Sequence, residues 1–335
     1  MTKIYKKSLN HAEAQRAADK VSSSNGTKKK PLGPVLHRLI RDMSNEAYHG
    51  TQGVWSSTQL KDMIDDEEVF IQKYIKKEAA KLEGAALDTG TYLHTAILEP
   101  HKVSKEIAVY PGKARFGKEW LLFKDKNKGK TIITEGQKAQ GDAMVTAVRA
   151  SPTSMEYLKG EAEVSLFVSL LVANGNIYSP HFKKVLGTDG WEDVEKVPSK
   201  GFALTVKVRA DTLGDTFISD LKSTSGRANK AESVRGSISK YKYDLSAALY
   251  LDVFSLVLED VSAFVWIFAS KENPVAAAWV ASKRNIQVGR AKWTTAVKRL
   301  ADLSAANWQL ADYLREAEPL SYELEWLNQK DTDLL

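Results

Sequence analysis

Residues 205–226 read TVKVRADTLGDTFISDLKSTSG. Two runs with alternating apolar positions flank a Gly-Asp pair, which is the pattern of a β-hairpin. The alternation explains a half-buried pair of strands, but it does not explain why Asp211, Asp220 and Lys222 stand among the apolar positions. With Gly214-Asp215 as a two-residue turn, Asp220 faces Arg209 and Lys222 faces Lys207. Strand side chains alternate with period two, so Lys207, Arg209, Asp211, Asp220 and Lys222 share one face, and Val206, Val208, Ala210, Phe217 and Leu221 take the other. Asp211 is then a diagonal neighbour of Asp220, roughly 7–8 Å away by backbone. Two carboxylates gathered in this way repel unless a metal or a basic group offsets them. Magnesium accepts one or two carboxylates and keeps waters and phosphate oxygens in its remaining positions. A lysine two residues after the second acid can orient a water or stabilise charge developing on a phosphate. The same residues also fit an ordinary solvated hairpin in which Arg209 and Lys222 pair with the aspartates.

The chain around the hairpin has 335 residues and 43% hydrophobic content, enough to bury one large core or two smaller ones. Cysteine is absent, which excludes disulfides, zinc-thiolate sites and cysteine-ligated iron–sulfur clusters. No apolar run is long enough to span a membrane, and MTKIYKKSLN at the start lacks a signal-peptide pattern, so a soluble cytoplasmic protein is expected. The net charge of +6 is concentrated at one end. Residues 1–34 hold eight Lys/Arg against two Asp/Glu, and the rest balances at 40 against 40. Together with the Ser, Gly, Lys and Pro of VSSSNGTKKKPLGP (21–34), this predicts a flexible basic tail and linker over 1–34 and a single folded domain over 35–335.

Along that body the periodicity predicts a helix over about 55–77, capped by Ser56 or Ser57, a second over Ala85–Leu98 that stops at Pro100, and a third over Glu135–Ala150. From Ala162 to Ser223 short alternating runs predict a β-meander. A helix over about Tyr241–Leu258, strands at SAFVWIFAS and AAAWVAS, and C-terminal helices follow. The fold class is α/β (α+β), a mixed central sheet flanked by helices. Residues 112–119, GKARFGKE, approach the G-x-x-x-x-G-K phosphate loop, but Glu119 stands where Ser or Thr must place a hydroxyl on magnesium, which argues against an ATPase.

Further stretches set the hairpin in a wider pattern. MSNEAYHG with WSSTQL (43–60), LDTGTYLHTAILEP (87–100) and EVSLF (163–167), followed by VRAD and ISDLKST, occur in an order that resembles the RecE-type nuclease domain of exodeoxyribonuclease VIII. That family lies in the PD-(D/E)xK superfamily with the lambda exonuclease and RecB nuclease domains, and the resemblance covers about residues 43–315. It implies a PD-(D/E)xK restriction-endonuclease-like core in which His94, Asp211 and Asp220 bind Mg²⁺, with Mn²⁺ as a substitute, and Lys222 is the catalytic lysine. Glu163 takes the place of a further acid. Gly90, four residues before His94 on the same helical face, leaves room for the imidazole.

The family presents Gln and Tyr four residues apart on the helix after the lysine strand, and the matching pair here is Ser246 and Tyr250. Arg115, Lys118, Arg209, Arg227, Lys230 and Tyr250 are the expected DNA contacts, with Arg235, Lys240 and Lys242 flanking them. The implied activity is ATP-independent, 5′ to 3′ degradation from double-stranded DNA ends, leaving a 3′ single strand for a RecT-like annealing partner in phage-type recombination. A ring-shaped homo-oligomer is implied as well. The Ser246 departure keeps open a DNA-end-binding protein with impaired chemistry, and an endonuclease is a further alternative.

Overall fold

The computed structural model describes residues 37–78, 84–112 and 115–310; the tail expected over 1–34 and the chain from 311 onward lie outside them. In chain order the body opens with β1 (Arg38–Ile40), α1 (Asn45–Gly50), β2 (Trp55–Ser56) and α2 (Ser57–Asp65). Ser56 and Gln59 close a capping box at the start of α2. The helix expected to run to residue 77 breaks at Asp66. That residue is extended (φ −163°) and its carboxylate caps a new short helix by accepting from the Val69 N–H at 2.9 Å.

Next come α3 (Ala85–Leu98), β3 (Ile107–Tyr110), α4 (Gly117–Lys126), β4 (Thr131–Thr134) and α5 (Glu135–Ala150). The expected meander is β5 (Glu161–Ala173), β6 (Asn176–Ser179), β7 (Lys184–Leu186), β8 (Trp191–Asp193), β9 (Phe202–Leu213) and β10 (Phe217–Thr224). The chain then forms α6 (Ala231–Lys240), α7 (Tyr243–Ser255), β11 (Ala263–Ser270), β12 (Ala276–Val280) and α8 (Lys283–Ala305).

One mixed sheet runs in the order β12-β11-β10-β9-β5-β6-β7-β8, with β1 added to β5 and β2 to β9. β10 and β11 are parallel, so the chain must cross over between them, and α6 and α7 are that crossover. The pair is covered on both faces. Phe264, Trp266 and Phe268 pack into the main core with α2, α7 and α8, whereas Leu221, Ile267 and Ala269 pack against α3 and α5. β3 and β4 form a separate parallel pair.

α7 is buried along most of its length, so its polar residues need internal partners. Asp252 accepts from Arg290 and from the Trp293 indole N–H, and Lys292 Nζ lies 2.6 Å from Asp244 Oδ2. Gly289 lets α8 approach this closely: a Cβ there would lie 2.0 Å from the Asp244 carbonyl oxygen.

The hairpin turn differs from the expected one. Leu213 pairs with Ile218 and Thr212 with Ser219, and the Gly214 N–H donates to the Phe217 carbonyl, so Asp215 and Thr216 form the tip. The register is shifted by two residues, and its continuation would set Asp220 against Asp211 instead of Arg209. An even shift preserves which side chains share a face.

Candidate active site

The two pairs just named are the last regular ones between β9 and β10. Beyond them the Asp211 side chain takes the place of a backbone acceptor: Oδ2 receives the Leu221 N–H at 2.7 Å. A cavity of about 710 Å³ lies here, lined by Lys207, Arg209, Asp211, Asp220 and Lys222 from the two strands. The five residues expected to share a face therefore share a cavity. Their opposite neighbours divide between two cores, Val206, Val208 and Ala210 in one and Leu221 in the other.

His94 enters from α3. Its Nδ1 lies 3.4 Å from Asp211 Oδ2. Gly90, one turn earlier, also lines the cavity, and a Cβ added there would meet nothing within 4 Å, so the imidazole stands beside open space.

Glu163 comes from β5, between the register pairs Ala162↔Thr212 and Val164↔Ala210, and so lies opposite Asp211. Its φ of 55° is left-handed, an expensive conformation for a non-glycine residue inside a strand. Such strain persists only where the surroundings impose it, and here it accompanies a carboxylate that lines the cavity. Donor atoms of His94, Glu163 and Asp211 all lie within 4.8 Å of one another. Burial, then Asp211, push the Glu163 carboxyl up to about 7, against the pull of Arg209.

Asp220 is nearly buried. Its Oδ1 accepts from Lys222 Nζ at 2.6 Å, and its Oδ2 is buried with no hydrogen-bond partner. Burial raises its pKa, with Lys222 opposing and Asp211 adding to the rise. Burial alone would lower the Lys222 pKa, but Asp220 and Asp211 outweigh it and hold the ammonium charged well above the ordinary lysine value. His94, Glu163 and Asp211, with the orphaned Asp220 Oδ2 lining the same cavity, make a donor set of one imidazole and carboxylate oxygens. A divalent cation fits it chemically.

Two of the expected DNA contacts have internal partners. Arg209 is buried and its guanidinium is consumed internally: it donates to Ser165 Oγ at 2.9 Å, to Glu163 and to the Met43 carbonyl, and it stacks 4.1 Å from the Tyr48 ring centroid. Arg115 donates to Asp88 at 2.6 Å, to the Ile132 carbonyl at 2.7 Å and to Gln137 at 2.5 Å, which ties the segment before α4 to α3 and α5. Both positive charges serve the framework. Lys118, Arg227 and Lys230 are exposed.

Tyr250 and Ser57 both line the cavity, whereas Ser246 is buried and does not. The contact between α7 and the lysine strand comes from Tyr243, whose ring centroid lies 5.6 Å from Lys222 Nζ. Sequence reasoning passed over Tyr243, although it stands seven residues before Tyr250 and hence on the same helical face. Lys207 was placed on the right face, but its buried ammonium is spent on the Tyr48 carbonyl at 2.6 Å; burial, then Arg209, bring its pKa down to about 8.

An acid on one strand, acid-x-lysine on the next and a mixed sheet covered by helices define a PD-(D/E)xK-like fold. Comparison with known proteins agrees: residues 180–311, from the turn after β6 through α8, match the model of a PDDEXK-like domain of unknown function (DUF3799). That match contains Asp211, Asp220 and Lys222 and leaves His94 and Glu163 outside it. A crystal structure from Eubacterium rectale named "Putative exonuclease" is similar over 83% of this chain and 94% of its own, at 14% identity and a TM-score of 0.51, a likeness of fold. The structure of SSO0001 covers 71% of this chain and 84% of its own at 9% identity, and its TM-score of 0.23 carries no argument. No curated protein matches.

Proposed function

We propose that the protein is a divalent-metal-dependent deoxyribonuclease that degrades double-stranded DNA from its ends. The observation that carries this reading is the convergence of His94, Glu163 and Asp211 donors within 4.8 Å, beside Lys222 on Asp220, in one cavity. His94, Glu163 and Asp211 would hold the cation, and the orphaned Asp220 Oδ2 offers a further oxygen. Mg²⁺ suits carboxylate oxygens, and Mn²⁺ also accepts them. Bound there, the ion supplies Lewis-acid polarisation of a phosphodiester and charge against the oxyanion that develops on it.

The remaining chemistry belongs to the chain. Lys222 is held charged and aimed by Asp220, so it acts as a cationic donor to the phosphate or the attacking water, and the charge it keeps leaves it no role as a base. Glu163, opposite a cation, returns toward the ordinary carboxylate range and serves as a ligand. The sequence resemblance supports 5′ to 3′ polarity, a ring-shaped oligomer and a RecT-like partner as parts of the same proposal. No helix among the described residues is long and apolar enough to cross a membrane.

The test is release of nucleotides from end-labelled linear duplex as Mg²⁺ is titrated, with Asp220→Ala and Lys222→Ala as controls and covalently closed circles alongside. Metal-dependent release from linear duplex alone is the expected result. Cutting of closed circles would make the protein an endonuclease, and binding of ends without release would make it an end-binding protein.

A further inference from the structure

Lys61 stands on α2 one turn beyond Ser57 and Thr58, both of which line the cavity. It is half-buried, and its ammonium lies 5.2 Å from the centroid of the Tyr243 ring. Lys222 reaches the same ring at 5.6 Å. One aromatic ring, itself part of the cavity wall, thus carries two cations.

The two are not equivalent. Lys222 has a carboxylate partner in Asp220. Lys61 forms no ion pair with any carboxylate among the described residues, although Asp220 and Asp244 act on it from a distance, and the neighbouring Lys242 is tied to Asp65. Burial, then repulsion from Lys222, bring the Lys61 ammonium down to about 8. A half-buried ammonium drawn to the same aromatic ring as a second ammonium is incomplete without an anion.

We infer that Lys61 and Lys222, gathered on the Tyr243 ring, bind one backbone phosphate of the DNA strand. Lys61 is the group added to the site, and Tyr243 is the positioning residue that holds both cations. The inference rests on the nuclease reading for its ligand, a phosphodiester, but its test does not require catalysis. A phosphate contact releases condensed counterions, so each contact steepens the fall of affinity with salt by a slope of about 0.9.

The experiment is fluorescence anisotropy of an end-labelled duplex bound to the full chain in EDTA, between 50 and 200 mM salt. The wild type is compared with Lys61→Gln, Lys61→Arg, Tyr243→Phe and Tyr243→Leu, and thermal melting confirms that each variant is folded. Over this fourfold range the wild type should lose about 3.5-fold more affinity than Lys61→Gln, with Tyr243→Leu behaving like Lys61→Gln. The conservative changes Lys61→Arg and Tyr243→Phe should restore the wild-type slope. A Lys61→Gln slope parallel to wild type, or equal slopes for Tyr243→Phe and Tyr243→Leu, overturns the inference. Binding with the expected slopes but no nucleotide release in Mg²⁺ sinks the nuclease reading and leaves the phosphate site standing. Absence of DNA binding by the wild type overturns both.

Discussion

Replacing Lys222 by methionine should do more than remove a catalytic group, because of where it leaves Asp220. That carboxylate is 6% exposed, one oxygen has no hydrogen-bond partner, and the other has only the Lys222 ammonium at 2.6 Å. Removing one member of a buried ion pair costs about 3–5 kcal/mol, because the survivor is stranded. The survivor can escape by taking a proton. Burial already raises the Asp220 pKa above its unfolded value, and losing Lys222, the largest opposing influence, raises it further.

The folded variant then binds a proton that the unfolded chain has released, so stability falls as pH rises from about 4, the unfolded aspartate value, through the folded pKa. The slope approaches about 1.4 kcal/mol per pH unit for one proton. In urea denaturation without metal, Lys222→Met should match the wild type most closely near pH 4 and fall about 3 kcal/mol below it at pH 7.5. Asp220→Asn/Lys222→Met should recover most of the difference, because a neutral pair strands no charge. Adding Mg²⁺ at pH 7.5 should restore part of the loss in the single variant, since a bound cation offsets the bare carboxylate. A Lys222→Met loss that is constant with pH, or a double variant as unstable as the single one, would refute the claim that these two groups are a buried, mutually dependent pair.

Other outcomes follow from the same geometry. Because Glu163 sits at φ 55°, Glu163→Gly should be about 1–2 kcal/mol more stable than Glu163→Ala by thermal melting, while both lose metal-dependent nuclease activity. Arg115→Ala should destabilise the fold by about 1.5–3 kcal/mol and leave the salt dependence of DNA binding unchanged. Arg227→Ala/Lys230→Ala should do the reverse, lowering the salt slope by up to about 2 with melting unchanged. Gly289→Ala should cost about 1–3 kcal/mol, read from the urea midpoint, because its Cβ would overlap the Asp244 carbonyl.

The hairpin shows how far sequence carries the argument. Period-two alternation put Asp211, Asp220 and Lys222 on one side whatever the turn, because the observed two-residue register shift preserves parity. The turn was misplaced because Gly-Asp matches a hairpin template that the chain does not use; Gly214 instead pairs with Phe217 across Asp215-Thr216. The internal partners of Arg115 and Arg209 were not legible for a different reason: a guanidinium aimed inward at carbonyls has the same sequence signature as one aimed at solvent. The left-handed backbone of Glu163 has no local signal, since glycine or asparagine is what such a position usually announces. Lys61 and Tyr243 were invisible as a pair because α2 and α7 are brought together only by the tertiary fold.

The cation site is tested most directly by soaking Mn²⁺ into crystals of the wild-type chain and locating the metal by anomalous scattering. The account predicts a peak coordinated by His94, Glu163 and Asp211, close to the Asp220 carboxylate, that disappears in Asp211→Ala. A Mn²⁺-saturated crystal with density elsewhere, or with none among these side chains, would contradict it.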